Sequence, residues 1–366
     1  MSNDVLGEST KAYLGPINMY LDDDDVSEVM VNGPDRIYFE KGGKLHKAET
    51  TFPSEEALMA AVRNIAQYMG RVISEDRPTL DARLPDGSRI HIVVPPCARF
   101  GAYIAIRKFF KESLTIKQLV GFGSMNVDCA KFLNLCIQLK KNIVVSGGTS
   151  SGKTTLLNVV SSLIPNNERI IIIEDSSELQ LQQDHIVPME TKAPDKNGEG
   201  AVPIRELVKS SLRMRPDRVI IGEIRGGEAL DLLQAMNTGH SGSMTTVHAN
   251  DPRQTMSRLE TLALMAGVDL PHLAIKNQIA SAIDLVVQAS RLRDGSRKVT
   301  HISEIVELDL NGHYVINDIF LNKIISANED GKLNCKHIAT GKMPSFYEEA
   351  KAQGFKISKD WFKAEE

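Results

Sequence analysis

The octapeptide GGTSSGKT, residues 147–154, constrains this chain of 366 residues more than any other stretch. Its spacing is Gly, four residues, Gly-Lys and then Ser or Thr. An apolar run at 143–145 before it reads as a strand, and residues 155–163 after it read as a helix. A phosphate chain needs backbone N–H groups at close approach, which glycine permits, and a helix N-terminus whose partial positive charge faces the anion. Gly147, Gly148, Thr149, Ser150, Ser151, Gly152, Lys153, Thr154 and Thr155 are therefore the expected cradle. In it Lys153 bridges the β- and γ-phosphates of ATP and Thr154 offers its hydroxyl to Mg2+. From residue 141 onward short apolar runs alternate with helical ones (NIVV, TTLLNVVSSLI, RIIIIED, IRELVKSSLRM, DRVIIGE, EALDLLQAM, SMTTVHA), which predicts a parallel sheet covered on both faces.

A cradle binds nucleotide, but the acids at the ends of later strands decide what happens to it. One strand is expected at 169–173, ending in Glu174 and Asp175, and another at 218–221, ending in Gly222 and Glu223. In an open parallel sheet the carboxyl ends of the strands form the ligand edge, so Glu174 and Glu223 are expected to flank one phosphate site. Either can orient or deprotonate an attacking water, with Glu223 the first choice of base. A strand at this position ordinarily ends in an aspartate held near Mg2+; here glycine takes that place, so the metal is expected to be held more through water. Two histidines, His240 and His248, lie in TGHSGSMTTVHAND without an HExxH spacing or a cysteine partner, so a zinc pair has no support. A strand over 242–247 puts His248 on the ligand side, as a donor to the γ-phosphate or as an ordinary packed histidine.

The first third of the chain is chemically different. Residues 1–60 hold 12 acidic and 5 basic side chains, whereas 71–111 hold 8 basic and 4 acidic. Short β-rich segments fill this region at 37–43, 88–94 and 102–110, with turn chemistry at 84–87. A hairpin centred on residue 98 sets Arg89 opposite Arg107. Like charges across a ladder repel, so both are either fully solvated or arranged around an anion carried by the other domain or by a neighbouring subunit. The expected organisation is an α/β domain over 1–112, a linker over 113–120 and a second domain over 121–366. Within 311–366 the residues Phe320, Ile324, Ile325, Phe346 and Trp361 are expected to dock helices or loops on the second domain. The acids at 22–25 read as a solvated loop or helix start, and 198–202 as a mobile loop.

Other classes are disfavoured. The net charge of −4 supplies no global positive field, so no nucleic-acid partner is expected. Cys97, Cys129, Cys136 and Cys335 form no CxxC pair, which argues against a disulfide framework or zinc knuckle and for a reducing cytosol. No apolar run approaches the ~18 residues that span a bilayer, and MSNDVLGEST has neither a basic start nor a hydrophobic stretch. Membrane contact is expected through partners alone.

These residues together resemble the hexameric secretion ATPases of type II and type IV secretion and of type IV pili, closest to the Tad/Flp pilus assembly (CpaF/TadA) branch. Residues 26–45 and 80–96 look like that branch's N-terminal domain and GGTSSGKT like its Walker A motif. IIIEDSSELQ (171–180) looks like its Asp box, RPDRVIIGEIRGGEA (215–229) its Walker B and residues 237–260 its His box. The stretch 281–304 is similar as well. The resemblance implies a RecA-like P-loop motor domain with a parallel β-sheet, preceded by a smaller α/β domain that clamps nucleotide across subunits of a homo-hexamer. It gives Glu174, Glu223 and His248 their roles at matching positions and makes Arg89 and Arg107 the arginines that reach phosphate. It further implies inner-membrane platform proteins as partners and a site at the inner face of the inner membrane. Two departures accompany it: the N-terminal helical extension of longer relatives is essentially missing, and so is the tetra-cysteine zinc module of many type II members. Rival readings are a type IV effector-export motor, a nucleic-acid-translocating RecA-like ATPase and a nucleotide-gated scaffold without turnover.

Overall fold

The computed structural model describes residues 13–84, 86–109, 114–192, 194 and 199–364; MSNDVLGEST and Gly198 of the 198–202 loop lie outside the described residues. The chain divides into two compact units, Met1–Glu112 and Ser113–Glu366.

The first unit contains α1 (Gly15–Leu21), β1 (Val26–Asn32), β2 (Ile37–Lys41), β3 (Lys44–Lys47), α2 (Glu55–Tyr68), β4 (Thr79–Arg83), β5 (Arg89–Val93) and β6 (Tyr103–Arg107). The strands form one antiparallel sheet in the order β3-β2-β1-β6-β5-β4. Ser54 starts α2 by accepting the Ala57 N–H at 3.2 Å, and Glu55 and Glu56 follow in the first turn, where the helix dipole favours acids. Leu58, Ala61, Val62 and Ile65 recur at helical spacing and are fully buried, in one cluster with Val29, Val31, Ile90, Ile92, Ile104 and Ile106. Strands β5 and β6 alternate exposed or half-exposed with buried residues, as a sheet with one wet face requires.

The second unit begins with α3 (Ile116–Gly121) and α4 (Val127–Gln138), followed by β7 (Ile143–Gly147), α5 (Lys153–Ser161), β8 (Ile170–Glu174) and β9 (Ile186–Glu190). Next come α6 (Ile204–Ser211), β10 (Arg218–Ile221), α7 (Glu228–Asn237), β11 (Met244–His248), α8 (Pro252–Leu264) and α9 (His272–Ala282). The chain continues through β12 (Leu285–Arg291), β13 (Arg297–Leu308), β14 (Tyr314–Ala327), β15 (Leu333–Ala339) and α10 (Tyr347–Ala352). The sheet runs β15-β14-β13-β12-β7-β11-β10-β8-β9. From β12 to β9 every neighbour is parallel. Strands β7, β8 and β10 are buried at every residue, because helices cover both faces. One apolar cluster joins α4 and α5 to the sheet, and the other joins α6, α7, α8 and α9 to its opposite face.

Within the stretch 113–120, Thr115 and Gln118 form a reciprocal capping box that starts α3. One expectation is corrected. The parallel sheet is extended by the antiparallel strands β13, β14 and β15, so Phe320, Ile324 and Ile325 sit on a strand and not on helices or loops. Phe320 packs with Phe132, Phe346 and Phe362 in an aromatic cluster, whereas Ile324 and Ile325 remain exposed.

At the amino end of the parallel strands Arg218 is wholly buried. Its guanidinium donates to Glu168 Oε1 at 3.1 Å, to the Ile137 carbonyl at 2.8 Å and to the Gly242 carbonyl at 3.3 Å, tying β10 to α4 and to the turn before β11. Gly242 has φ +83°, and a Cβ there would lie 2.2 Å from Arg218 Nη1, so only glycine fits. Glu168→Ala strands a buried cation, and we expect it to cost the second unit about 3–5 kcal/mol, read as a lowered urea midpoint.

Candidate nucleotide site

Strand β7 delivers the chain to the sheet's carboxyl edge at Gly147, which pairs with His248 at the end of β11 on one side and with Ala289 of β12 on the other. The approach is close. A Cβ on Gly147 would lie 2.4 Å from the Ala289 carbonyl oxygen and 2.3 Å from Ser151 Oγ. Just behind it, the buried Ser146 hydroxyl bonds the Gln288 carboxamide oxygen, and Gln288 Nε2 donates to the Ala249 carbonyl at 3.1 Å. The strand that carries the glycine loop and the residue after His248 are thus locked to the same buried amide.

The loop then turns through two left-handed residues, Ser150 at φ +56° and Gly152 at φ +89°, before α5 begins at Lys153. Gly152 is the N-cap and no side chain caps the first turn of α5, an arrangement that suits an anion. A Cβ at Gly148 would meet nothing within 4 Å, so the loop is open there. Lys153 Nζ donates to the Gly148 carbonyl at 3.0 Å, and Ser151 Oγ to the same carbonyl at 2.9 Å. Thr149 and Thr155 are exposed and Thr154 is half-buried. This donor set fits a triphosphate, with Lys153 close to the loop it would serve and the Thr154 hydroxyl available to Mg2+.

The acids and histidines are placed differently from one another. His248 is exposed at the edge; His240 lies before β11 with its Nδ1 buried. Glu174, last residue of β8, is buried, and its Oε1 accepts the N–H groups of Glu178 at 2.8 Å and Leu179 at 3.0 Å. A Cβ at Gly222 would lie 3.0 Å from Glu174 Cγ, so a larger residue where an aspartate is ordinarily found would crowd the Glu174 side chain. Glu223 is partly exposed and ion-paired with Arg225, whose Nε donates to Glu223 Oε2 at 2.8 Å while Nη1 reaches Asp175 Oδ2 at 3.3 Å. Partial burial works against the Arg225 charge, but the hydrogen bond and charge of Glu223, together with Asp175 and Glu178, outweigh it and raise the guanidinium's pKa. Sequence reasoning missed Arg225 and Gln288. The arginine two residues beyond Glu223 in GEIRGGE was the available signal for the first; the second had none.

In the first unit the β5–β6 ladder sets Arg89 opposite Arg107, the register expected from a turn centred on residue 98. The same rung continues to Arg83 on β4 and to Glu28 on β1. Three guanidiniums therefore stand side by side on the wet face, Arg89 and Arg107 both exposed. Arg89 Nη2 lies 3.6 Å from Asp81 Oδ1, to which the His91 ring also bonds at 2.9 Å.

Strand, glycine loop and helix at the carboxyl edge of a parallel sheet, after a smaller α/β unit, define a RecA-like P-loop fold. A family model described as type II/IV secretion system protein matches residues 10–344, and the chain belongs to that family. It is 34% identical over 325 residues to the type IV secretion system protein VirB11 of Bartonella henselae, covering 79% of this chain and 91% of that one. It is 34% identical over 308 residues to the type IV secretion system protein PtlH of Bordetella pertussis, covering 77% and 91%. The solved pilus retraction motor PilT with bound ADP shares the fold, with a TM-score of 0.54 at 18% identity over 84% of this chain and 80% of that one. Among the described residues no helix is long and apolar enough to cross a membrane.

Gly147→Ala collides with the Ala289 backbone carbonyl and with the Ser151 hydroxyl, and is expected to destabilise the second unit by about 2–4 kcal/mol in thermal melts and to abolish nucleotide binding by calorimetry. Gly148→Ala points into open space and is expected to leave the melting temperature within about 2 °C of wild type, since surface changes of this kind stay small.

Proposed function

We propose that this chain is the ATPase of a Tad/Flp-type pilus assembly system, working as a homo-hexamer against inner-membrane platform proteins at the cytoplasmic face of the inner membrane. The observation that carries the enzymatic part is the uncapped first turn of α5 behind an intact glycine loop, with Lys153 already folded onto it. Residues 147–155 hold ATP, and the Thr154 hydroxyl would be a ligand of Mg2+, which when bound would neutralise phosphate charge. Glu223 takes a proton from water as its oxygen attacks the γ-phosphorus, and the bond to the β-γ bridging oxygen breaks to leave ADP. Before that, Glu223 has to part from Arg225, so engagement of nucleotide and release of the base are one event. Glu174 orients the loop at 176–180 beside the site, and His248 donates to the γ-phosphate. Arg89 and Arg107, with Arg83 on the same rung, grip phosphate carried by a neighbouring subunit; hydrolysis loosens that grip and lets the domains move.

The pilus branch is supported by the run of motifs from residue 26 to residue 304 that resembles it. A second reading, export of effector substrates by a type IV system, is favoured by the names of the curated relatives. Deleting the gene and scoring surface pili against secreted proteins separates the two. A DNA-translocating motor fits the net charge of −4 poorly, and a filter-binding titration across salt concentrations decides it.

Lys153→Ala is expected to lose ATP binding and turnover, and Glu223→Ala to keep binding within about threefold while losing turnover about 100-fold or more, measured by calorimetry and phosphate release. Equal turnover in either variant counts against these roles. Sharing of the site between subunits predicts that activity rises faster than linearly with protein concentration. It also predicts that mixing the inactive Lys153→Ala and Arg89→Ala/Arg107→Ala proteins restores part of the activity; strict proportionality and no recovery on mixing would count against a shared site.

A further inference from the structure

The hairpin between β12 and β13 belongs to no catalytic role assigned above, yet it touches the phosphate loop. Because Ala289 pairs with Gly147, β12 runs two residues past the last residue of β7, and Arg291 turns back to pair with Arg297. The turn is tightly held. Asp294 accepts from Ser296 N–H at 3.0 Å and Ser296 Oγ at 2.6 Å, and its second oxygen accepts the Leu333 N–H at 2.9 Å. From this fixed base the Arg297 guanidinium donates through Nε to the Ser150 carbonyl at 3.0 Å. Ser150 is the loop residue that adopts the left-handed region without being glycine, a conformation that costs about 1 kcal/mol or more unless its surroundings hold it. The Arg297 side chain also covers Gly152, whose Cβ would lie 3.4 Å from Arg297 Cδ.

The next residue points elsewhere. Lys298 Nζ donates to the Gly123 carbonyl at 2.7 Å and reaches the Phe122 carbonyl at 3.5 Å, the exit of α3. The backbone joins in: Ser124 Oγ donates to the Arg297 carbonyl at 2.9 Å and Val299 N–H to the Ser124 carbonyl at 2.8 Å. Adjacent residues on a strand thus hold the phosphate loop with one side chain and the end of α3 with the other, an ammonium at a helix C-terminus being favourable in itself. Helix α3 is the first element of the second unit, and the chain runs from it back to the first.

We propose that Arg297 and Lys298 couple the phosphate loop to α3: nucleotide reorganises the loop peptides, Arg297 reads this at the Ser150 carbonyl, and Lys298 passes it to residues 122–124. Arg297 is a positioning residue, acting on nucleotide through the loop. The inference rests on the reading that the loop binds nucleotide and adds a route by which binding is felt outside the site.

Hydrogen exchange of the full-length protein, with and without saturating Mg2+-ADP, tests it. In wild type, ADP is expected to slow exchange of the Phe122, Gly123 and Ser124 amides by about fivefold or more, the low end of ordinary coupling between sites. Lys298→Ala, which does not touch the loop, is expected to bind ADP within about twofold of wild type and to lose that slowing. Arg297→Lys keeps the charge but not the directed Nε–H, and is expected to weaken ADP binding by about threefold to tenfold and lose the slowing as well. Wild-type slowing retained in Lys298→Ala and Arg297→Lys overturns the proposal, as does a wild type that binds ADP with no change at 122–124. A wild type that binds no ADP overturns the nucleotide reading itself, and this coupling with it.

Discussion

The backbone of Gly147 lies against the carbonyl of Ala289 and the hydroxyl of Ser151 with no room for a methyl group, and the rest of the site is arranged around that contact. It fixes how near β12 stands to β7, and so which residues of the β12–β13 hairpin overhang the loop. It also sets the start of the turn that ends in the left-handed Gly152, from which α5 leaves with its first N–H groups uncapped by any side chain. A helix terminus buried without partners is costly, and one left open at a sheet edge is an anion site by construction.

Around this contact the molecule spends its buried polar groups on holding strands in order. Gln288 links β7, β12 and the residue after His248, and Arg218 clamps the opposite ends of the strands to α4. Neither group faces solvent, and each has most of its hydrogen-bonding capacity met, as buried polar side chains must. The charged groups at the carboxyl edge are by contrast exposed or partly exposed, with Arg225 between Glu223 and Asp175.

Much of this was legible in the chain itself. The parallel strands are short, wholly apolar runs bounded by turn residues, and burial on both faces leaves little else they could be. The arginine pairing of β5 and β6 followed from the position of one turn. The antiparallel extension was hidden because bulges at 302–303, 305–307 and 324–326 break the two-residue alternation; Ile319 and Phe320 are both buried although adjacent. Helix α3 spans only six residues, and the spacing of Ile116, Leu119 and Val120 shows its helical pattern but not where it starts. In the site, the glycine loop and the strand-end acids were visible by type and spacing. The Arg225 bridge was not, since Asp175 and Arg225 meet only when β8 and β10 become neighbours. The buried state of Glu174 depends likewise on Gly222 packing over it.

That packing also restricts what can stand at the end of β10. A side chain at 222 would press on the Glu174 methylene 3.0 Å away, so an aspartate at the strand end has to displace the Glu174 carboxylate from its place beside residues 178 and 179. The carboxylate that fastens the loop at 178–179 and the residue that ends β10 thus share one small volume, and a change in either is felt by that loop.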